Sequence, residues 1–494
     1  MSSAGPSQGA AAAPQRIALS LISHTNAGKT ALARTLLGRD VGEVRDAAHV
    51  TTEANQYTMI ESAQGDVLCL WDTPGFGDSA RLARRLAGVD HPIVRFLAAA
   101  WDRWRERPLW SSQQAIRNVR EDTDVVLYLV NASESPGDAG HVAPELQILE
   151  WIGKPVIVLL NQTGPPRPSA DEEADEARWR QALGPRPFIH GLLTLDAFAR
   201  CWVQEGTLLR MVARALPADR EAGFARLTAA WQAARSARFE AAMAAIAAPI
   251  ARAACDRATL PDSGLRESLR DVGRAIGLAT IAGEGAKEAA MRTLARRLDA
   301  DIRASTDQLI AIHQLEGRAA AEVIARLSDD VVADNPVSEG KAAIVGGFVS
   351  GALTGLAADL ASGGLTFGAG LLAGGVLGAA GAAGLARGFN LVRGRTESVV
   401  RWSDEFLAAL VPAAVLRYLA VAHYGRGRGE WTPSEHPAFW RDTVKAEIAQ
   451  RGGVPATLWS GRGERCDADT LALRLTASLE DLARSVLDTL YPAA

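Results

Sequence analysis

The stretch that most constrains the fold is RIALSLISHTNAGKTALARTLLG, residues 16–38. A run of strand-forming residues, 16–23, meets a turn-rich loop and then an amphipathic helix opening at Gly28-Lys29-Thr30. A helix that begins straight after a strand turns its unpaired N–H groups and its positive dipole end toward an anion. The segment therefore predicts a phosphate-binding loop. It meets the pattern G-x-x-x-x-G-K-[ST] except at its first position, where Ser23 replaces glycine. Lys29 is placed to reach the β- and γ-phosphates, and Thr30 to give its hydroxyl to Mg²⁺. Asn26, Ala27, Gly28, Lys29, Thr30 and Ala31 make up the nucleotide cradle.

The next elements continue the pattern. YTMIES (57–62), DVLCLW (66–71), DVVLYLV (124–130) and KPVIVLL (154–160) read as short strands bounded by turn residues. Gly65-Asp66 turns the first of these back on the second as a hairpin. The others are far enough apart for helical crossovers. This predicts an α/β domain with a mainly parallel sheet and helices on both faces. LCLWDTPGF (68–76) ends a strand in Asp-x-x-Gly. Asp72 is placed to hold the Mg²⁺ shell, and the Gly75 amide to meet a γ-phosphate. Between the two motifs lie Thr51 and Thr52. One of these hydroxyls, with Thr51 preferred, is expected to close over Mg²⁺ and the γ-phosphate as a switch residue.

SHTNAGKT, the threonine pair and DTPG resemble the first three nucleotide motifs of Era-like GTPases of the translation-factor class. The resemblance covers about residues 16–200. It implies a P-loop GTPase domain that binds GTP and GDP with Mg²⁺, with Lys29 and Thr51 as its catalytic groups. It also implies that Asn26 helps to hold K⁺ beside the phosphates, as in the potassium-stimulated members. Phe76 stands where Ras-like proteins keep a catalytic glutamine, a replacement typical of the Era-like group.

The base-reading end departs from the family. Asn-Lys-x-Asp is expected after the next strand, and the sequence there is NQTG, with Asn161 kept, Gln162 for lysine and Gly164 for aspartate. Asn161 is left to bond the base edge. The aspartate normally accepts from the guanine N1 and N2 hydrogens, so its loss leaves guanine and adenine both open. The acids between Asp171 and Glu176 are either a substitute carboxylate or a solvated helix start. The last family motif is not visible in IHGLLTLDAFARCW (189–202). About ninety residues separate Asp72 from Asn161, and the excess falls in 96–121. Trp101, Trp104 and Trp110 there form either a protein-partner surface or one side of an amphipathic helix packed on the domain. His24 and His49 read as polar loop residues.

Beyond the first domain the composition changes. The expected organisation is a disordered tail (1–15), the GTPase domain (16–215), an Ala- and Arg-rich helical domain (216–337), a glycine-zippered apolar hairpin (338–393) and a helical C-terminal region (394–494). Gly347, Gly351 and Gly355 recur every four residues, as do Gly370, Gly374 and Gly378. Only Asp359 is charged between Lys341 and Arg387, so 342–386 reads as a membrane hairpin or as a tightly packed soluble one. The whole chain is similar to bacterial proteins that join an Era-like domain to such a region. Net charge is −4, with 53 basic against 57 acidic residues, which speaks against nucleic acid as a partner. Cys69, Cys201, Cys255 and Cys466 show no pairing or metal spacing and suggest a reducing compartment.

Three functions remain open on these residues: a GTP-hydrolysing switch at the inner membrane, capable of a nucleotide-dependent dimer; a structural or membrane-remodelling protein whose site binds but barely turns over; and an NTPase of relaxed or adenine preference.

Overall fold

The computed structural model describes residues 13–39, 41, 54–87, 91–98, 107–164, 166–197, 201–260, 278–315, 389–393, 398–424, 437–460, 462 and 466–492. Thr51, Thr52, His49, Trp101, Trp104 and the glycine-zippered stretch 342–386 lie outside the described residues. The chain divides into two compact units, the first running to Ser236 apart from a few residues near 168.

The first unit is built on a six-stranded sheet. Its strands are β1 (Arg16–Ser23), β2 (Asn55–Glu61), β3 (Val67–Asp72), β4 (Val125–Asn131), β5 (Val156–Asn161) and β6 (Ile189–Thr194), in the order β2-β3-β1-β4-β5-β6. All neighbours are parallel except β2, which returns antiparallel to β3. The hairpin between them turns at Gly65, whose φ of +86° favours glycine. The expected α/β architecture is present, with β6 as the strand that the sequence reading missed.

Alternation along the strands sends residues to two cores. Leu19, Leu127, Leu129, Ile157 and Leu159 face one side, where helices α1 (Lys29–Leu37) and α7 (Trp202–Ala215) cover them. Ile22, Val126, Tyr128, Val158 and Leu160 face the other. That side is covered by α2 (Ser79–Leu86), α3 (Pro92–Ala98), α4 (Arg107–Asp122), α5 (Val142–Ile152) and α6 (Ser169–Leu183). Leu109, Ile116 and Val119 of α4 are buried in this core. Asp171 and Glu172 occupy the first turn of α6, where carboxylates complement the helix dipole.

The first unit extends past residue 215. Phe224, Leu227 and Trp231, on helix α8 (Ala218–Cys255), complete the first core. Arg226 from the same helix grips buried Asp66 with two hydrogen bonds of 2.6 Å each. The Arg226 guanidinium holds the Asp66 carboxyl far below the usual carboxylate range, helped by bonds from Ser62 and the Gln15 amide.

The second unit is mostly helical, with α9 (Leu278–Ile312), α10 (Asp404–Ala422), α11 (Ala438–Gln450) and α12 (Ala468–Leu490). It also holds a three-stranded antiparallel sheet of Ala258–Thr259, Phe389–Arg393 and Ser398–Trp402. Helix alone was expected over most of these positions. The two-residue strand leaves no periodic trace, and it pairs with Ser398–Trp402 from much later in the chain. A second correction concerns the cysteines. Cys255 and Cys466 form a disulfide across 211 residues, with their Cα atoms 5.3 Å apart, so no spacing rule reveals the pair. Cys69 and Cys201 are buried thiols.

Among the described residues, α10 alone is long and apolar enough to cross a membrane, with a mean hydropathy of 1.7. Yet 61% of that window is buried within the protein. It also carries Arg417, which is buried and bonds to the Ile302 carbonyl and to the Ser305 and Thr306 hydroxyls of α9. Burial pulls this guanidinium down to about 9.

Candidate functional site: a phosphate cradle and a base end

The loop between β1 and α1 is shaped by two left-handed residues, Asn26 at φ 67° and Gly28 at φ 84°. Asparagine tolerates this region and glycine enters it freely. Gly28 has a second reason to be glycine. A Cβ there would stand 2.6 Å from the Asn161 amide nitrogen. Asn26 is exposed at the loop tip, whereas Ala27 and Ala31 are buried. The α1 N-terminus thus lies at the loop's end, as the motif requires.

Lys29 is buried under this loop. Its ammonium donates to the Ser23 hydroxyl at 2.8 Å and to the His24 carbonyl at 3.3 Å. Both acceptors are neutral, so the charge is held without a direct carboxylate bond. Burial pulls Lys29 down to about 8, against Asp72 and Glu145, which pull it up. An incoming phosphate would restore what burial removes. Gly75 passes close by: a Cβ there would lie 2.9 Å from the Lys29 nitrogen and 3.1 Å from the Thr25 Cα. A side chain there would have to displace the flexible lysine end and crowd the Thr25 backbone by a few tenths of an ångström.

Thr30 donates to Asp72 Oδ2 at 2.7 Å. The other Asp72 oxygen is buried and makes no hydrogen bond. Burial pushes this carboxyl up, while Thr30 and Lys29 pull it down. A hydroxyl and a carboxylate side by side, one oxygen unsatisfied, form a donor set that suits a hard cation such as Mg²⁺. Thr30 and Asp72 are the residues that would hold it. Thr51, expected as the third ligand, lies outside the described residues.

Phe76 is fully buried, and its amide donates to the Ser23 carbonyl at 2.9 Å. Its own carbonyl accepts from the Thr25 hydroxyl at 3.0 Å. It anchors the segment after β3 to the phosphate loop, with its side chain buried in the core cluster that also holds Leu82 and Ile93. A side chain so placed cannot orient water.

His24 is more than a polar loop residue. Its Nδ1 pairs with buried Glu145 at 2.8 Å, and Glu145 also accepts from the Tyr128 hydroxyl at 2.8 Å. Its ring stacks on His141 with centroids 4.4 Å apart. The start of the loop is thereby tied to α5.

At the base end, Asn161 closes β5 and is fully buried. Its amide nitrogen donates to the Ala27 carbonyl at 2.8 Å, and its oxygen accepts from the Ala197 amide at 2.8 Å. It therefore joins the phosphate loop to the loop after β6. Gln162 and Gly164 follow with φ of 61° and 84°. The sequence reading missed one residue here, Asp196. Its carboxylate accepts from the Thr163 amide at 2.6 Å and the Thr163 hydroxyl at 3.1 Å. No motif spacing marks it.

Strand order, the strand–loop–helix cradle and the Thr30–Asp72 pair define the first unit as a P-loop GTPase domain. Residues 18–162 match the family described as 50S ribosome-binding GTPase. Residues 180–453, more than half of the chain, match the family described as a domain of unknown function (DUF3482), and the chain belongs to that family. Among curated proteins none matches it. Solved structures with some likeness include a variant of Era from Aquifex aeolicus bound to GDP and aluminium fluoride. It shows 17% identity and a TM-score of 0.30 over 41% of this chain and 57% of that one. A second is Era with MgGDPNP and a segment of 16S ribosomal RNA, at 16% identity and a TM-score of 0.30 over 41% and 58%. A third is a variant of SsGBP, at 16% identity and a TM-score of 0.23 over 40% and 54%. This chain spans a little over half the length of each.

Proposed function

We propose that the protein is a guanine-nucleotide switch that hydrolyses GTP to GDP and phosphate. The observation that carries this reading is the Thr30–Asp72 pair beside buried Lys29, with one Asp72 oxygen unsatisfied. Lys29 neutralises charge on the β- and γ-phosphates. Thr30 and Asp72 orient Mg²⁺, which supplies further charge neutralisation when bound. The Gly75 amide meets the γ-phosphate. Catalysis is then positioning and charge stabilisation rather than covalent chemistry. Residues 46–54 and 72–80 order around the γ-phosphate and release after hydrolysis. Asn26 assists a monovalent cation, K⁺, beside the phosphates. The switch acts at the inner face of the membrane through 342–386, with 96–121 offered to a protein partner.

The test is phosphate release from GTP by the full chain with Mg²⁺, in potassium and in sodium buffer, with and without anionic vesicles. Turnover should be lost in Thr30→Ala and stimulated by K⁺. Phe76 supports a second reading, since its buried ring leaves no side chain there to position water. On that reading the site binds but barely turns over, and the protein is a structural or membrane-remodelling component. Tight GTP binding with turnover at background level, equal in wild type and Thr30→Ala, would select it. ATP binding equal to GTP would select the NTPase of relaxed base preference.

A further inference from the structure

The phosphate loop opens on Ser23-His24, where the motif has glycine first. The Lys29 ammonium reaches back to this opening, donating to the Ser23 hydroxyl at 2.8 Å and to the His24 carbonyl at 3.3 Å. The Ser23 hydroxyl donates to the same carbonyl at 2.5 Å. The His24 carbonyl is therefore one end of the lysine's anchorage, and its direction depends on how His24 is held. That residue is held from α5. Nδ1 of its ring meets Glu145 Oε1 at 2.8 Å, and the Tyr128 hydroxyl on β4 donates to Oε2 at 2.8 Å. Facing a carboxylate that also accepts from Tyr128, Nδ1 acts as the donor. Glu145 is fully buried, and a bond to a buried carboxylate fixes a ring more firmly than a solvated one does. The ring also stacks on His141, the residue before α5, whose carbonyl accepts from the Glu145 amide at 3.2 Å. The acid and the stacking ring thus belong to one helical turn.

We propose that His24, fixed by Glu145, is a positioning residue for Lys29: the bond from its ring to α5 sets the carbonyl that aims the ammonium at the β- and γ-phosphates. The inference rests on the nucleotide-site reading above and adds to it a pair, His24 and Glu145, that acts through the lysine. An ammonium is a compact charge on a flexible four-carbon stem, with three donors and no direction of its own. The loop engages two of those donors and leaves the third for a phosphate oxygen. Without a fixed His24 carbonyl the stem regains rotamers, and its charge is no longer held where the phosphates arrive. The effect is confined to nucleotides with a β-phosphate, because that is where Lys29 reaches.

The experiment is competition binding of GTP, GDP and GMP to the full chain with Mg²⁺, for wild type, His24→Ala and His24→Asn. The His24 side chain is 34% exposed, so truncating it removes little core packing. His24→Ala should weaken GTP and GDP by about tenfold and leave GMP within about twofold. A chain that has partly unfolded loses all three alike. Asparagine carries an amide nitrogen near the place of Nδ1, so His24→Asn should return GTP and GDP to within about threefold of wild type. In the Lys29→Ala chain, His24→Ala should cost nothing further, because it acts through the lysine. A uniform loss in His24→Ala, or none, overturns the proposal. So do additive losses in the double variant, and so does an asparagine variant as weak as the alanine one, since stacking on His141 would then carry the effect. In each of these cases wild type still binds GTP and only the role of His24 falls. A wild type that binds neither GTP nor GDP sinks both readings together.

Discussion

At the phosphate end, the functional groups come from one strand–loop–helix and the strand beside it. Ser23, Lys29 and Thr30 lie within eight consecutive residues, and Asp72 arrives on β3, which pairs in parallel with β1. At the base end, the groups come from two loops, with Asp196 33 residues from its partner Thr163. The first arrangement is local, so one motif fixes both residue type and position. The second is tertiary. An acid can therefore stand at this end of the sheet without leaving a trace in motif spacing. Asn161 is the joint between the ends, bonded to Ala27 on one side and Ala197 on the other.

The largest expected effect separates the two ends. Lys29→Ala removes the buried charge that faces the phosphates and leaves Asp196 untouched. Truncating one partner of a buried charge-assisted contact costs about 2–5 kcal/mol, or roughly 30- to several-thousand-fold in affinity. GTP and ATP should weaken alike, measured by equilibrium binding with Mg²⁺. Retained affinity would show that the phosphates do not sit on this loop. A loss confined to GTP would show that the two ends are not independent.

Breaking the joint should come next. Gly28→Ala places a Cβ 2.6 Å from the Asn161 amide nitrogen, at a φ of 84° that alanine rarely adopts. The left-handed backbone costs about 1–2 kcal/mol. If Asn161 yields, the Ala27 carbonyl and Ala197 amide lose their partner, at about 1–3 kcal/mol for each buried group left unpaired. Thermal melting of the full chain should fall by several degrees, and both nucleotides should weaken. Unchanged melting with unchanged binding would mean that Asn161 does not couple the ends.

The same contrast governs what was legible beforehand. β1, β3, β4 and β5 announce themselves because runs of Val, Ile and Leu between turn residues are buried on both faces. Lys29, Thr30 and Asp72 follow from motif spacing. The sequence hides whatever depends on distant pairing. Asp196 is a lone acid in a segment that matches no motif. The strand Ala258–Thr259 is too short to show alternation, and the Cys255–Cys466 disulfide spans 211 residues. Phe224 and Trp231 belong to a helix whose composition resembles the second unit, yet their side chains fill the first core. His24 was legible as a loop residue, but its tie to Glu145 requires α5 to be in place.

The smallest effect gives the sharpest test of where base selectivity resides. Gln162→Lys restores the family's residue beside Asn161. Gln162 already has the left-handed φ of 61° and sets its amide nitrogen 3.6 Å from where a Gly28 Cβ would stand. Its stem therefore already lines the loop. A lysine there adds methylene contact and a partly solvated charge, worth about 1 kcal/mol at most. GTP and ATP should gain together, by less than about tenfold. Their ratio should not move, because a stem contact and a solvated charge do not tell N1–H from bare N1. A rise in the ratio would assign base selectivity to position 162.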